Sequence, residues 1–386
     1  DVCGCSATAG AQLMRYHMYP AAGVAAASCS IWVEGMAYMA TMKGGFYAWS
    51  NMPLAPSSPS ADQRQAIGRL TYDVGVAAHM AYSSGGSTAS LPALAEALRT
   101  DFFYASAQWC FCKGFSDQTS VIQNGILANL DAKFPVLLSI QDTDENSGHA
   151  VVADGYGYAS GILYTHINMG WGGSNDAWYN LPGIGDYDLI QDLAFNVFPE
   201  QTGEILSGRV LSASGSACSG ATVYAANSAA GVSLTTRTDS KGLFAFVVPS
   251  PVSASQETYR LSAFYHSLVS TAVVATVSSS VCGKYTLSGP TGFRVQSNGS
   301  IGNKWGVAVA MPAAASLSLS PTQQTADVGG GSYTVSVSGN VLWTAATAQN
   351  WISLNTTSNL ANGTVSYTVA PTVSAKSRTG VITVAG

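Results

Sequence analysis

The apolar residues of this 386-residue chain change their period once. Early in the sequence they recur at spacings of three and four, the helical repeat. Later they run together briefly or alternate, the strand repeat. Residues 7–19 carry Ala7, Ala11, Met14 and Met18 in helical register. Residues 62–82 carry Ile67, Leu70, Val74 and Ala77–Ala78, and Ser90 is placed to cap a helix over 91–100 with Pro92 in its first turn. A fourth helix is predicted over 121–130. Strands are predicted over 135–140, 149–156, 162–169, 178–181 and 193–198, with Gly170-Trp171-Gly172-Gly173 as a sharp break. Helices followed by a mostly antiparallel sheet define an α+β domain over residues 1–200.

No long helical pattern returns after that point. Residues 201–312 show short β-rich stretches and a turn at Asp239-Ser-Lys-Gly242, the pattern of a β-sandwich. Beyond the linker Ala313-Ala-Ala315, residues 313–386 alternate strictly at 317–320 and 333–337, and Trp343 and Trp351 are expected in the core of a second all-β domain. Charged residues make up only 10%, well under the usual quarter, and the net charge is −5. No basic face for nucleic acid is expected, and no apolar run reaches the length of a membrane-inserted helix. Low charge together with 40 glycines points to a secreted or cell-surface protein. Of the seven cysteines, Cys218 and Cys282 fall in one candidate domain and are the expected disulfide.

Chemistry concentrates in residues 1–200. Cys3-Gly4-Cys5 leads straight into the first helix, and Gly148-His149 opens an apolar strand. Unpaired N–H groups and the dipole at a helix N-terminus favour a thiolate, so Cys5 is the expected nucleophile and His149 its base. Asn168, at the end of the following strand, is the expected orienter of the imidazole, and Trp171 its cover. Asp154 is the rival orienter, but five residues from His149 in a strand it faces the other way. Metal chemistry at Cys3, Cys5 and His17 is disfavoured because Cys-x-Cys is the wrong spacing for the common zinc pattern. Gly85–Gly86 lacks the lysine of a phosphate loop and reads as a groove loop. No metal or cofactor is expected.

These residues resemble the streptopain-like (C10-type, papain-related) cysteine peptidases. Gly4-Cys-Ser-Ala-Thr-Ala-Gly-Ala-Gln-Leu-Met-Arg-Tyr-His17 is similar to the nucleophile helix of that family. Tyr72-Asp-Val-Gly75, His79-Met-Ala-Tyr82 and Gly86-Ser87 resemble its middle motif, Gly148-His-Ala-Val-Val-Ala-Asp-Gly-Tyr156 its histidine motif, and His166-Ile-Asn-Met-Gly-Trp-Gly-Gly173 its Trp-rich loop. The resemblance implies a papain-like fold, Cys5 and His149 as catalytic residues, and a cleft built from Gly86, Ser87, Gly148, Met169 and Gly170. Where the family usually has Trp this chain has Met169, which implies an altered cleft wall. It implies polypeptide substrates, cleaved by an endopeptidase through an acyl-enzyme. It further implies an N-terminal segment, carrying an oxyanion-hole glutamine, that is absent from residues 1–200 and is supplied as a separate processed chain. Residues 313–386 resemble the immunoglobulin-like BACON-type modules of secreted enzymes, and 201–312 a β-sandwich accessory domain. The alternative is a non-catalytic surface protein that binds peptide or glycan on a degenerate peptidase fold.

Overall fold

The computed structural model describes residues 2–113, 118–144, 147–250, 256–278, 295–296, 303–304, 307–373 and 377–386. They form two compact units, residues 1–207 with 245–257 and 276–306, and residues 208–244 with 258–275 and 307–386.

Within residues 1–207 the first unit contains helices α1 (Cys5–His17), α2 (Ala61–Ala77), α3 (Leu91–Thr100) and α4 (Gln118–Asp131) and two sheets. Strands β1 (Ser28–Val33), β2 (Met36–Thr41) and β3 (Ala81–Tyr82) make a small sheet. The main sheet uses β4 (Ser106–Phe111), β5 (Val136–Gln141), β6 (Gly148–Ala159), β7 (Ile162–Asn168), β8 (Ala177–Tyr179) and β9 (Leu189–Phe198). Its order is β4-β9-β5-β6-β7-β8, antiparallel throughout. Both faces are covered. Leu137, Val152 and Ala194 pack with Ala7, Leu13 and Met14 of α1 on one side. Val136, Leu138, Val151, Ala153 and Ile167 pack with Ile126 of α4 on the other. Covering both faces is why β5 opens on the apolar run Val136-Leu137-Leu138, followed after Ser139 by Ile140, rather than alternating. Each large side chain buried this way contributes roughly 1.5–3 kcal/mol.

Local chemistry sets the helix ends. Ser60 and Gln63 form a reciprocal capping box at the start of α2. Ser90 Oγ accepts the Ala93 N–H at 3.3 Å, so the predicted cap of α3 is in place. The helix predicted over 62–82 stops at Ala77, because His79 adopts a left-handed φ of 56° and Ala81–Tyr82 turns into β3. Helix α1 ends as Met18 turns left-handed, φ 49°, and returns its N–H to the Arg15 carbonyl.

In the second unit Thr222–Asn227 lies antiparallel between Val232–Arg237 and Gln256–Tyr265, with Val223 and Ala225 buried and Tyr224 exposed. The predicted turn forms: Asp239 Oδ1 accepts the Lys241 and Leu243 N–H groups. Farther on, two sheets share one core. Val337, Val365 and Val369 of one meet Trp343 and Ala345 of the other. Trp343 is fully buried and donates to the Ala361 carbonyl at 2.7 Å, whereas Trp351 is half-buried beneath the Arg378 guanidinium, 4.2 Å from its ring centre. The boundary expected at 312/313 falls inside this unit, where the Val269 N–H donates to the Asn340 carbonyl. Cys218 is a buried free thiol. Its expected partner Cys282 lies outside the described residues. Among the described residues no helix is long and apolar enough to cross a membrane.

Candidate active site

Gly4 starts the site. It caps α1 with φ 84° and ψ 147°, and a Cβ there would meet the Ser87 carbonyl at 2.8 Å and Met80 Cε at 3.0 Å. Only glycine fits both the backbone and the space. The sharp entry makes Cys5 the first residue of α1, two residues earlier than the apolar pattern alone predicts. No side chain of the cap accepts from the first turn, so its N–H groups retain donor capacity beside the thiol.

Strand β6 brings His149 to that thiol. The Cys5 proton responds to opposing effects. Burial pushes the thiol up, but the hydrogen bond with His149, the Ala150 main-chain N–H, the His149 charge and the Ser6 hydroxyl together leave it below its ordinary value. His149 behaves reciprocally. Burial pulls the imidazole down, while its bonds to Cys5 and to the Met169 carbonyl and the Cys5 charge carry it above its ordinary value. Both partners shift toward their charged forms, as an opposite charge in a desolvated site requires.

The orienter differs from the expected one. His149 Nε2 is 2.8 Å from the Met169 carbonyl oxygen. A carbonyl only accepts, so Nε2 carries a proton and Nδ1 is the basic nitrogen for Cys5. Asn168, predicted in that role, instead directs Oδ1 to Gln12 Nε2 at 3.0 Å and to the Gly170 N–H at 2.9 Å. Trp171 is stacked on the imidazole with ring centres 4.6 Å apart and planes 28° apart. Tyr187 lies nearly parallel to the imidazole at 6.2 Å, a neighbour the sequence pattern did not single out. Its hydroxyl is raised by burial first and then by the Cys5, Asp186 and Asp142 charges. Asp154 sits at a β-bulge, where the regular alternation is interrupted, and bonds His166 Nδ1 at 2.6 Å rather than His149.

The predicted cleft residues divide. Gly86 is exposed with open space beyond it, and Gly148 is exposed at the start of β6. Ser87 is buried, and its hydroxyl donates to the Val2 carbonyl at 2.6 Å, so it braces the segment before Cys5. Gly170, φ 74°, lets the loop after β7 approach Thr8 of α1, whose Cγ2 would be 3.2 Å from any Cβ. The Met169 side chain is 3% exposed in the core under the sheet, which corrects the expected cleft wall: Met169 serves the site through its main chain. Cys3 is exposed and lines a cavity of about 460 Å³ with Val2, Ile67, Tyr72 and Tyr82. His17 bonds Tyr104 and lies at the far end of α1. Among the described residues no three His, Cys, Asp or Glu gather as metal ligands.

Residues 1–179 match the family described as the Peptidase C10 family. Streptopain of Streptococcus pyogenes serotype M1 is 31% identical over 189 residues, 47% of this chain and 46% of streptopain. The chain thus spans about half the length of the curated relatives it matches. Among solved structures, that of active wild-type interpain A cysteine protease from Prevotella intermedia is 26% identical, covers 51% of this chain and 83% of that one, and gives a TM-score of 0.44. A prointerpain A fragment from the same organism is 26% identical, covers 52% of this chain and 64% of the fragment, and scores 0.43.

Proposed function

We propose that this chain, whose residues 1–179 belong to the peptidase C10 family, is a secreted or cell-surface cysteine endopeptidase acting on polypeptides. The observation that carries the reading is the hydrogen-bonded Cys5–His149 pair, with Cys5 opening α1 and His149 held through Nε2 by the Met169 carbonyl. The Cys5 thiolate attacks the scissile carbonyl carbon and forms a C–S bond. Charge developing on the carbonyl oxygen draws on the N–H groups of the first turn of α1. His149 gives its Nδ1 proton to the departing amine as the C–N bond breaks, leaving a thioester. His149 then takes a proton from water, whose oxygen attacks the thioester. The C–S bond breaks, and the acid product leaves with the thiolate restored. Trp171 shields the imidazolium face, where a π surface favours the cation. The second unit is read as two immunoglobulin-like modules that carry or space the catalytic unit. Low charge supports an extracellular setting.

The test is cleavage of a peptide library under reducing conditions by the wild-type chain and by Cys5→Ala. Cleavage by the wild type alone is expected. Equal cleavage by both proteins overturns the assignment.

A further inference from the structure

Gln12 stands seven positions after Cys5, two turns along α1, so the two side chains leave the helix on one side. Gln12 Nε2 donates to Asn168 Oδ1 at 3.0 Å. The same oxygen accepts the Gly170 N–H at 2.9 Å. That N–H belongs to the peptide unit joining residues 169 and 170, whose carbonyl holds His149 Nε2 at 2.8 Å. A peptide group polarised at its N–H is a stronger acceptor at its C=O. A continuous series of hydrogen bonds therefore runs from the nucleophile's helix to the base.

The polarity of the series is determined, not chosen. The Gly170 N–H demands an acceptor, which fixes the Asn168 oxygen toward it, and an oxygen there demands a donor from Gln12. Among the described residues, this leaves Gln12 Oε1 buried with no hydrogen-bond partner. Such orphaned acceptors are rare because they destabilise the fold, and a glutamine that only filled space would be replaced by an apolar side chain at no loss.

We propose that Gln12 is a positioning residue: through Asn168 and the 169–170 peptide it holds His149 in line with Cys5. Its catalytic meaning rests on the peptidase reading, but its test reads the thiol directly. The rate of iodoacetamide alkylation at Cys5, followed by mass spectrometry of the Cys5 peptide, is measured against pH. The proteins are the full chain, Gln12→Met, Gln12→Glu, Asn168→Ala and the double variant Gln12→Met/Asn168→Ala. Cys5 and Tyr187, the titratable groups facing His149, are untouched in all of them.

Gln12→Met is expected to raise the alkylation midpoint by about half a pH unit to one unit, a three- to tenfold change in the thiol equilibrium. Turnover number should fall in proportion, with KM unchanged. Gln12→Glu, which aims a carboxylate at Asn168 Oδ1, should move the midpoint further. The double variant should match Asn168→Ala alone, because Gln12 acts through Asn168. An unchanged midpoint in either Gln12 variant, or effects that add in the double variant, overturns the proposal. If Gln12→Met fails to fold, Gln12→Glu decides alone. A wild type with a low midpoint that cleaves no peptide rejects the peptidase reading and leaves the Gln12 test standing.

Discussion

Helix α1 carries a titratable group at each end, and burial opposes charge on both, yet the two end in opposite states. At its start, burial of Cys5 is outweighed by His149 and the Ala150 N–H, and the pair moves toward thiolate and imidazolium. At its end, His17 packs beside Tyr16, Tyr104 and Phe134; among the described residues the Tyr104 hydroxyl bonds Nδ1 and Nε2 has no partner. Burial pulls it down to about 4. The same helix therefore holds one site that makes charge and one that forbids it. The difference lies in the partner, not in the depth.

The sharpest way to break the charged end is His149→Ala. Burial of Cys5 persists while its main compensation disappears, so the thiol should titrate above its ordinary value instead of below it. Turnover should fall by roughly 10³–10⁴-fold, about 4–5 kcal/mol of barrier. The alkylation profile of Cys5 checks the first expectation and peptide cleavage the second. A profile unmoved by the substitution would mean that the two residues are not coupled.

At the neutral end the effect appears in stability. The folded value of His17 is depressed to about 4 from an ordinary 6.5, so as pH falls the unfolded chain takes up the proton first. His17 thus supports folding fully above about pH 6.5, and that support is lost as pH falls toward 4, roughly 3 kcal/mol over the window. Urea denaturation of wild type and His17→Phe across this range should diverge in slope: the wild type loses stability with acid, and the variant loses less. Parallel curves would show that His17 is not held neutral.

A smaller effect is expected where the charged end meets solvent. Trp171, 43% exposed, covers the imidazole by stacking. Trp171→Ala removes that face and admits water, and should lower turnover by roughly tenfold, about 1.4 kcal/mol. The alkylation midpoint should rise by less than in His149→Ala. A Trp171→Phe variant that restores most of the turnover would tie the loss to the ring face.

Much of this contrast is legible in the sequence. Cys5 stands out because a glycine and a helical repeat bracket it, and His149 because it opens an apolar strand. The spacing of Ile67, Leu70 and Val74 reveals α2, and Ser90 with Pro92 marks the start of α3. What could not be read is carried by main chain or by distant packing. The acceptor for His149 is a carbonyl, and every residue has one, so the sequence points instead to the Asn168 side chain. Tyr187 comes from a turn before β9, and no local pattern ties it to the site. The β1–β2 hairpin leaves Met36, Tyr38 and Met39 exposed, so it lacks the alternation by which a strand shows itself. Left-handed His79, which ends α2, is likewise invisible in a run of good helix formers.

The Asp154–His166 pair is the control for the whole comparison. It also joins an imidazole to an acidic partner, at 2.6 Å, but both side chains remain about a third exposed. Water already reaches both side chains, so the pair should contribute less than about 1 kcal/mol to stability. It touches neither Cys5 nor His149, since the bulge at Ala153–Gly155 turns Asp154 toward β7. Asp154→Asn should therefore leave the Cys5 alkylation profile in place and change peptide turnover by less than about twofold, a difference under 0.5 kcal/mol. Its effect on stability should shrink further in 1 M salt, where the screening length falls to about 3 Å. A large loss of turnover in this variant, with stability intact, would mean that His149 takes its orientation from β6 as a whole and not from the Met169 carbonyl. The two ends of α1 would then differ in how their strand is held, and the partner rule drawn from them would fail.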